Sequence, residues 1–187
     1  VHDKSMFSKD KIKITLDFLS YLEKNKITKK IGISVYNTKE LSKNLKYFDF
    51  NLIQLPINIL NQSFVVNNYL ENLSIKYEIF GRSVFLQGLL LENIRNLNKY
   101  FLKYNDELLK YHRFLIEYNL TPLEACIGFI YSIEANIKII FGINNLSNLK
   151  QIKKTIKSLD KNKLKKIDFS KLKTNRIKLI NPTYWKI

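Results

Sequence analysis

An arginine and a serine interrupt an otherwise apolar segment, YEIFGRSVFLQGLLL, at residues 77–91. Both side chains, Arg82 and Ser83, donate hydrogen bonds, and a fully buried strand rarely carries such groups. Polar or small residues also stand at or just after the ends of three other short apolar segments, namely Ser34, Gln54 and Gly142. Two explanations of Arg82 and Ser83 are open: they face a bound ligand, or the arginine reaches solvent and the serine caps a turn.

The apolar segments alternate with helical patterns along the chain. Short runs rich in β-branched residues predict four strands, at 31–35, 51–57, 77–85 and 136–143. Apolar residues at helical spacing predict six helices, at 8–25, 38–48, 61–75, 92–119, 121–135 and 146–159. Ser8 is the predicted N-cap of the first helix. Thr121, Pro122 and Glu124 mark the clearest helix start, because threonine and glutamate can form a capping box around a proline at the first helical position.

This alternation predicts an α/β protein built from parallel βα units that helices cover. An open doubly wound sheet and a (β/α)8 barrel both satisfy the pattern. The glycine-rich motif GxGxxG, which binds dinucleotides in the open sheet, follows none of the four predicted strands. In a barrel the carboxyl ends of the strands converge on one face, where the chemistry takes place. The barrel therefore fits the polar residues at the strand ends better.

The composition indicates a globular protein, with 45% hydrophobic and 26% charged residues among 187. A single cysteine, Cys126, excludes an internal disulfide framework and suits a reducing compartment, so we expect a cytoplasmic location. No apolar stretch approaches the length of about 20 residues that a membrane span needs. The net charge of +16 raises nucleic-acid binding as a function. Most of this charge is lysine and the four arginines are dispersed, so nucleic acid is a lesser alternative.

Four segments, in this order, resemble the second half of an aldo/keto reductase: IGISVYNTKEL, FNLIQLPINILNQSF, YEIFGRSVFLQGLLL and IIFGINNLSNLKQI. The terminal INPTYW is similar to the usual ending of that family. The likeness is strongest to a subgroup that accompanies bacterial surface-sugar genes. It implies a partial (β/α)8 TIM barrel, strands 4/5 to 8 with covering helices. Residues 1–187 would then form the carboxyl-terminal half of the barrel, and the amino-terminal half would be absent.

The resemblance also implies a chemistry. Aldo/keto reductases transfer a hydride from NADPH or NADH to a carbonyl without a metal, so the expected substrate is a small-molecule carbonyl, and a sugar carbonyl is one candidate. Val1-His2-Asp3 stands where the fourth barrel strand of the family ends in a histidine, so the resemblance gives His2 a catalytic role. The family's tyrosine, lysine and aspartate lie on earlier strands, and none of the eleven tyrosines here is assigned to replace that tyrosine. A solvated histidine without a role is the alternative for His2.

The later strands of the family bind the dinucleotide, and two groups of residues match them. Ser34 and Gln54 match the residues that hold the nicotinamide amide, although Val35 replaces the asparagine that commonly follows the serine. Arg82 takes the position where many members stack a tyrosine on the nicotinamide ring. Further matches lie in the loop that touches the pyrophosphate and ribose, namely Ser83, Phe85 and Gly88.

The segment after the fourth strand matches the adenosine end of the cofactor site. Its candidate residues are Gly142, Asn144 and Asn148, at the start of a predicted helix whose N–H groups suit a phosphate. Family members often carry a lysine or arginine here for the 2′-phosphate of NADPH. Neither asparagine is charged, so NADH and NADPH both remain open. Simple helix capping is the alternative for Asn144 and Asn145.

A different class of function fits the same half barrel. It could act as a non-catalytic binding or scaffold protein, since the residues implied for proton transfer lie mostly outside the sequence. Half a barrel also has two open edge strands and an uncovered inner face, so self-association is a possible consequence. Cofactor binding with carbonyl-dependent turnover distinguishes the enzyme from the scaffold.

Overall fold

The computed structural model describes residues 1, 8 and 11–186 of the chain. Its strands are β1 (Gly32–Ser34), β2 (Leu52–Pro56), β3 (Glu78–Arg82) and β4 (Ile137–Ile139). Its α-helices are α1 (Ile12–Lys24), α2 (Thr38–Asn44), α3 (Tyr69–Lys76), α4 (Asn105–Glu117), α5 (Pro122–Tyr131), α6 (Leu146–Ser158), α7 (Lys161–Lys165) and α8 (Ile177–Ile180). Short 3₁₀ helices lie at Leu89–Leu91, Ile94–Asn96, Lys99–Tyr104, Phe169–Leu172 and Pro182–Tyr184.

The strands form one parallel sheet in the order β1-β2-β3-β4. The chain therefore visits neighbouring strands in sequence and returns between them through the helical segments, which is the connection that parallel strands require. Val1 extends the ladder beyond β1. Its N–H donates to the carbonyl oxygen of Gly32, and its own carbonyl oxygen accepts the N–H of Ser34 at 2.8 Å. This is the pattern of a residue on a further parallel strand.

The two faces of the sheet differ in burial. On β1, β2 and β3 the side chains that point to one face are buried, with exposed fractions of 0–2% at Ile33, Ile53, Leu55 and Ile79. The residues between them point to the other face and are only partly covered, as at Leu52, Gln54, Phe80 and Arg82. An alternation of this kind belongs to a sheet with one packed face and one open face.

The chain divides into two compact units. The first contains residues 1–56, 63–82 and 135–139, and it holds the whole sheet with α1, α2 and α3. The second contains residues 57–62, 83–134 and 140–187, including α4 to α8. The core of this second unit contains an aromatic cluster, in which Phe169 lies 5.7 Å from Phe114 and 5.8 Å from Phe129 between ring centroids.

The predicted strands and the capping box agree with the structure. Each predicted strand contains one observed strand, which is two to five residues shorter than predicted. At α5 the side chain of Thr121 accepts the N–H of Glu124 at 3.2 Å, and the Glu124 carboxylate accepts the N–H of Thr121 at 2.8 Å. The reciprocal bonds satisfy two N–H groups that the helix itself leaves unpaired.

Three predicted helices begin later in the structure than expected, and the helices predicted at 38–48 and 121–135 end earlier, at Asn44 and Tyr131. α1 begins at Ile12, so Ser8 is not its cap. α3 begins only at Tyr69, because Asn67 and Asn68 adopt left-handed backbone angles with φ of 52° and 55°. The predicted helix at 92–119 consists of 3₁₀ turns followed by α4. Within the described residues, no helix combines the length and apolar character that crossing a bilayer demands.

Candidate functional site

Ser34 and Gln54 meet at the carboxyl end of the sheet. The strand register places them directly opposite each other on β1 and β2. The Ser34 hydroxyl donates to the Gln54 side-chain oxygen over 3.1 Å. Both residues line an open groove of about 480 Å³ on the half-covered face. The bond leaves the amide N–H groups of Gln54 available as donors and the hydroxyl oxygen of Ser34 available as an acceptor. A primary amide on a ligand, which has one carbonyl oxygen and one NH₂ group, could bind to both.

Arg82 is the last residue of β3, and its side chain is held in a defined plane. The guanidinium carbon lies 4.5 Å from the centre of the Tyr36 ring, and Nη2 donates to the carbonyl oxygen of Val35 over 3.3 Å. Glu40 supports the same segment by accepting the N–H of Tyr36 at 2.9 Å. Burial lowers the pKa of Arg82, while Tyr36 and Glu40 oppose this effect. The arginine is therefore oriented by protein groups and does not extend into solvent as a lone surface side chain.

Tyr36 and Glu40 were not predicted from the sequence. Both follow β1 within the quoted segment IGISVYNTKEL, but the partner Arg82 lies more than forty residues away. A cation–π contact between such distant segments leaves no pattern in a single sequence. The sequence offered one indication of a role for Tyr36, namely its position two residues after the candidate site residue Ser34.

The loop after β3 contains a concentration of left-handed backbone. Positive φ angles occur at Ser83 (62°), Leu86 (47°), Gln87 (54°) and Gly88 (87°). Residues other than glycine adopt this region at a cost, and such strain gathers at functional loops. Gly88 is needed for its conformation, since a Cβ there would meet no protein atom within 4 Å.

Two contacts inside the second unit hold this loop. Asn58 is fully buried, and its Nδ2 donates to the carbonyl oxygen of Ser83 over 3.2 Å. The ring of Phe85 stacks on Phe141 with centroids 5.4 Å apart and planes 22° apart. Phe141 directly precedes Gly142, so two of the predicted cofactor segments are packed together. Asn58 was also missed, although an asparagine within the apolar run LPINIL could have signalled a structural hydrogen-bonding role.

The residues predicted for the adenosine end lie at the start of α6. Gly142 and Asn144 are exposed in the segment between β4 and the helix. Asn145 caps α6, because its side-chain oxygen accepts the N–H of Asn148 at 2.9 Å. The capping explanation therefore holds for Asn145, and one N–H that could bind a phosphate is already used.

A second charged cluster lies at the opposite, amino end of the sheet. Glu78 of β3 forms ion pairs with Lys30, just before β1, and with Lys138 of β4. Its side chain is only 18% exposed. Hydrogen bonds from Lys138 and Lys30 lower the pKa of Glu78. The cluster connects the segment before β1 with β4, at opposite edges of the sheet. It was not predicted from the sequence.

Other titratable groups offer less for catalysis. Cys126 is buried beside the hydroxyl of Tyr111, and burial raises the pKa of its thiol to about 12. A thiol in this environment is a poor nucleophile. Among the residues that the structure describes, no group of three or more His, Cys, Asp or Glu side chains could hold a metal. His2, the predicted catalytic residue, lies outside the described residues.

Comparison with known proteins assigns the chain to a family. A model of the aldo/keto reductase family matches residues 3–176. No curated protein sequence matches the chain significantly.

Several solved aldo-keto reductases share the fold. AKR11C1 from Bacillus halodurans in its holo form is 15% identical, with a TM-score of 0.60 over 88% of this chain and 58% of that chain. AKR2E5 of the silkworm Bombyx mori is 16% identical, with a TM-score of 0.59 over 92% and 50%. The thermostable Tm1743, solved with the inhibitor epalrestat, is 15% identical, with a TM-score of 0.55 over 81% and 52%.

The chain thus spans about half the length of these solved relatives. Four parallel strands with covering helices, matched to half of longer barrels, confirm the predicted partial (β/α)8 barrel. The family model covers most of the sequence, from the segment before α1 to the residue before α8. The chain belongs to the aldo/keto reductase family.

Proposed function

We propose that this chain forms the carboxyl-terminal half of an NAD(P)-dependent oxidoreductase that reduces a carbonyl group on a small molecule. The observation that carries the proposal is the hydrogen bond between Ser34 and Gln54 at the carboxyl end of the sheet. Because the serine uses the glutamine oxygen, the pair offers a donor and an acceptor to the carboxamide of a nicotinamide. Family membership supports the same cofactor class.

The resemblance to the family implies further dinucleotide contacts on residues of the second unit, and each group of these residues is proposed by itself. We assign the pyrophosphate and ribose to the loop of Ser83, Phe85 and Gly88, whose left-handed backbone is typical of ligand-binding loops. We assign the adenosine end to Gly142, Asn144 and Asn148 at the start of α6. Since these residues carry no charge for a 2′-phosphate, NADH and NADPH are both candidates.

The proton-transfer residues belong to the preceding part of the proposed enzyme. In this proposal His2 acts together with a tyrosine, a lysine and an aspartate on earlier strands, because the alkoxide that hydride transfer creates needs a proton donor and positive potential. The backbone pairing of Val1 with β1 supports a further strand at that edge. Likeness to the subgroup found with surface-sugar genes makes a sugar carbonyl the first substrate to test, in a cytoplasmic enzyme.

A binding and turnover assay on the complete gene product tests the proposal. We expect saturable binding of NADH or NADPH and consumption of the reduced cofactor on addition of aldehydes or keto sugars. Gln54→Ala should weaken cofactor binding by about three- to tenfold, the loss of one or two neutral hydrogen bonds. Asn72→Ala removes an exposed amide from α3 and should change nothing.

Other results would favour the alternatives. Cofactor binding without turnover by any carbonyl would favour a non-catalytic binding or scaffold protein. Absence of dinucleotide binding, together with steeply salt-dependent binding to duplex DNA or RNA, would favour a nucleic-acid-binding protein.

A further inference from the structure

We infer that Arg82 makes this site bind the reduced, uncharged nicotinamide ring more tightly than the oxidised, positively charged ring. The inference rests on the proposed function, in which Ser34 and Gln54 hold the nicotinamide amide. The property at issue is the relative affinity for the oxidised and reduced forms of one cofactor. Neither membership of the family nor the pairing of the strands determines this relative affinity.

The side chain of Arg82 extends across the sheet toward the amide-binding pair. Arg82 is paired with Pro56, two residues beyond Gln54 on the neighbouring strand. Standard strand spacing then puts the Cα atoms of Arg82 and Gln54 about 8 Å apart on the same face. The guanidinium donates to the carbonyl oxygen of Val35, which directly follows Ser34. The positive charge is therefore held over the end of β2, beside the pair.

This charge is held in position by protein groups, and the nearby Glu40 carboxylate offsets part of it. The guanidinium carbon lies over the Tyr36 ring at 4.5 Å from its centre, and the backbone N–H of Tyr36 in turn donates to the carboxylate of Glu40. Arginine keeps its proton at neutral pH even where burial disfavours it. A group held in this way acts as a permanent positive potential that does not relax when a ligand arrives.

The two redox forms respond differently to this potential. The pyrophosphate and both riboses are the same in the two forms, so their attraction to the protein cancels in the ratio of the two dissociation constants. Only the nicotinamide ring differs, because it carries a positive charge when oxidised and none when reduced. Two unit charges about 7 Å apart repel enough to change an affinity between about threefold in a water-like medium and about fiftyfold at a partly covered protein surface.

The test is to titrate the purified protein with NADH and NAD⁺ by calorimetry, and to repeat this with NADPH and NADP⁺. The quantity of interest is the ratio of the dissociation constants of the oxidised and reduced forms. Arg82→Gln removes the charge, Arg82→Lys retains it, and Lys76→Gln removes an exposed charge at the carboxyl end of α3 as a matched control. Should Arg82→Gln fail to fold, the ratio for the unaltered protein at about 20 mM and about 500 mM salt serves instead, since salt screens a partly exposed charge.

We expect the unaltered protein to bind the reduced form more tightly than the oxidised form. The ratio of the oxidised to the reduced dissociation constant should fall at least threefold in Arg82→Gln. The same ratio should be unchanged in Arg82→Lys and in Lys76→Gln. In the salt experiment it predicts a ratio that shrinks as salt rises. An unchanged ratio in Arg82→Gln, or a ratio that ignores salt, would overturn the inference and leave the proposed function standing. Failure of the unaltered protein to bind any of the four dinucleotides would instead remove the proposed function and the inference together.

Discussion

The amide of Asn58 joins two loops that are far apart in the sequence, because its Nδ2 donates a 3.2 Å hydrogen bond to the carbonyl oxygen of Ser83. The oxygen of the same side chain accepts the N–H groups of Leu60 and Asn61 at 3.1 and 2.8 Å. A single buried side chain thus fixes the segment after β2 and the start of the strained loop after β3. That loop carries three of the nine residues proposed to contact the dinucleotide, namely Ser83, Phe85 and Gly88. Its shape therefore depends on a residue that would not touch the cofactor.

Replacement of Asn58 by alanine should therefore be costly. Asn58→Ala removes three hydrogen bonds of a fully buried side chain, to the carbonyl oxygen of Ser83 and from the N–H groups of Leu60 and Asn61, so we expect a loss of about 2 to 4 kcal/mol in the free energy of unfolding. Urea denaturation measures this loss. Asn25→Ala, which removes one exposed side-chain bond to Tyr21, should cost less than about 0.5 kcal/mol. Equal effects of the two substitutions would contradict the structural role given to Asn58.

Two glycines near the proposed site should respond differently to alanine. Gly88→Ala forces a side chain into the left-handed region, where φ is 87°, and should cost about 1 to 2 kcal/mol. Gly142 is outside the positive-φ region, and an added Cβ meets no atom within 4 Å, so Gly142→Ala should be neutral within about 0.5 kcal/mol or slightly stabilising. Thermal unfolding of both variants measures the difference. A destabilised Gly142→Ala variant would show that the segment before α6 is packed in a way that the structure does not describe.

Local patterns accounted for the parts of the fold that depend on neighbouring residues. Apolar runs identified all four described strands, and the spacing of Thr121 and Glu124 identified the start of α5. The rule that the carboxyl ends of parallel strands converge on one face predicted that Ser34 and Gln54 share a face. The register of β1 and β2 places them directly opposite each other, which the sequence did not predict. Local chemistry was sufficient in these cases because the responsible residues are close in sequence or are placed by regular geometry.

The features that were missed depend on packing between distant segments. The left-handed angles of Asn67 and Asn68 delay the start of α3 to Tyr69, although the apolar spacing alone predicts a helix from residue 61. The contact of Arg82 with Tyr36 and the ion pairs of Glu78 connect residues 46, 48 and 60 positions apart. Side chains of these types are normally solvated, so only the fold itself determines which of them meet.

Acid should weaken the ion-pair cluster at the amino end of the sheet. The pKa of Glu78 is lowered in the folded protein by Lys138 and Lys30, so its contribution to stability is present above the pKa of the unfolded chain and is lost as pH falls through the folded pKa. The unaltered protein should therefore exceed Glu78→Gln in melting temperature at pH 7, and the gap should narrow as the pH falls below about 4.5. Differential scanning fluorimetry across this range measures the gap. Glu117→Gln, at an exposed site on α4, is the control and should melt at the same temperature as the unaltered protein at every pH. If the difference in melting temperature between the unaltered protein and Glu78→Gln stays constant in acid, the ion pairs are not its cause.

The thiol of Cys126 should resist labelling while the protein is folded. It is fully buried in α5, and burial raises its pKa to about 12, so at pH 8 almost no thiolate forms and no reagent reaches it. An aromatic disulfide reagent should therefore release its chromophore only after denaturation. Tyr111→Phe tests whether burial alone protects the thiol, because it keeps the ring but removes the hydroxyl 3.7 Å from the sulfur, whose hydrogen bond lowers the pKa of Cys126. We expect the thiol of this folded variant to stay unlabelled, since burial and not the hydroxyl bond raises its pKa. Rapid labelling of the folded unaltered protein would contradict this prediction and would mean that α5 opens far more readily than its packing implies.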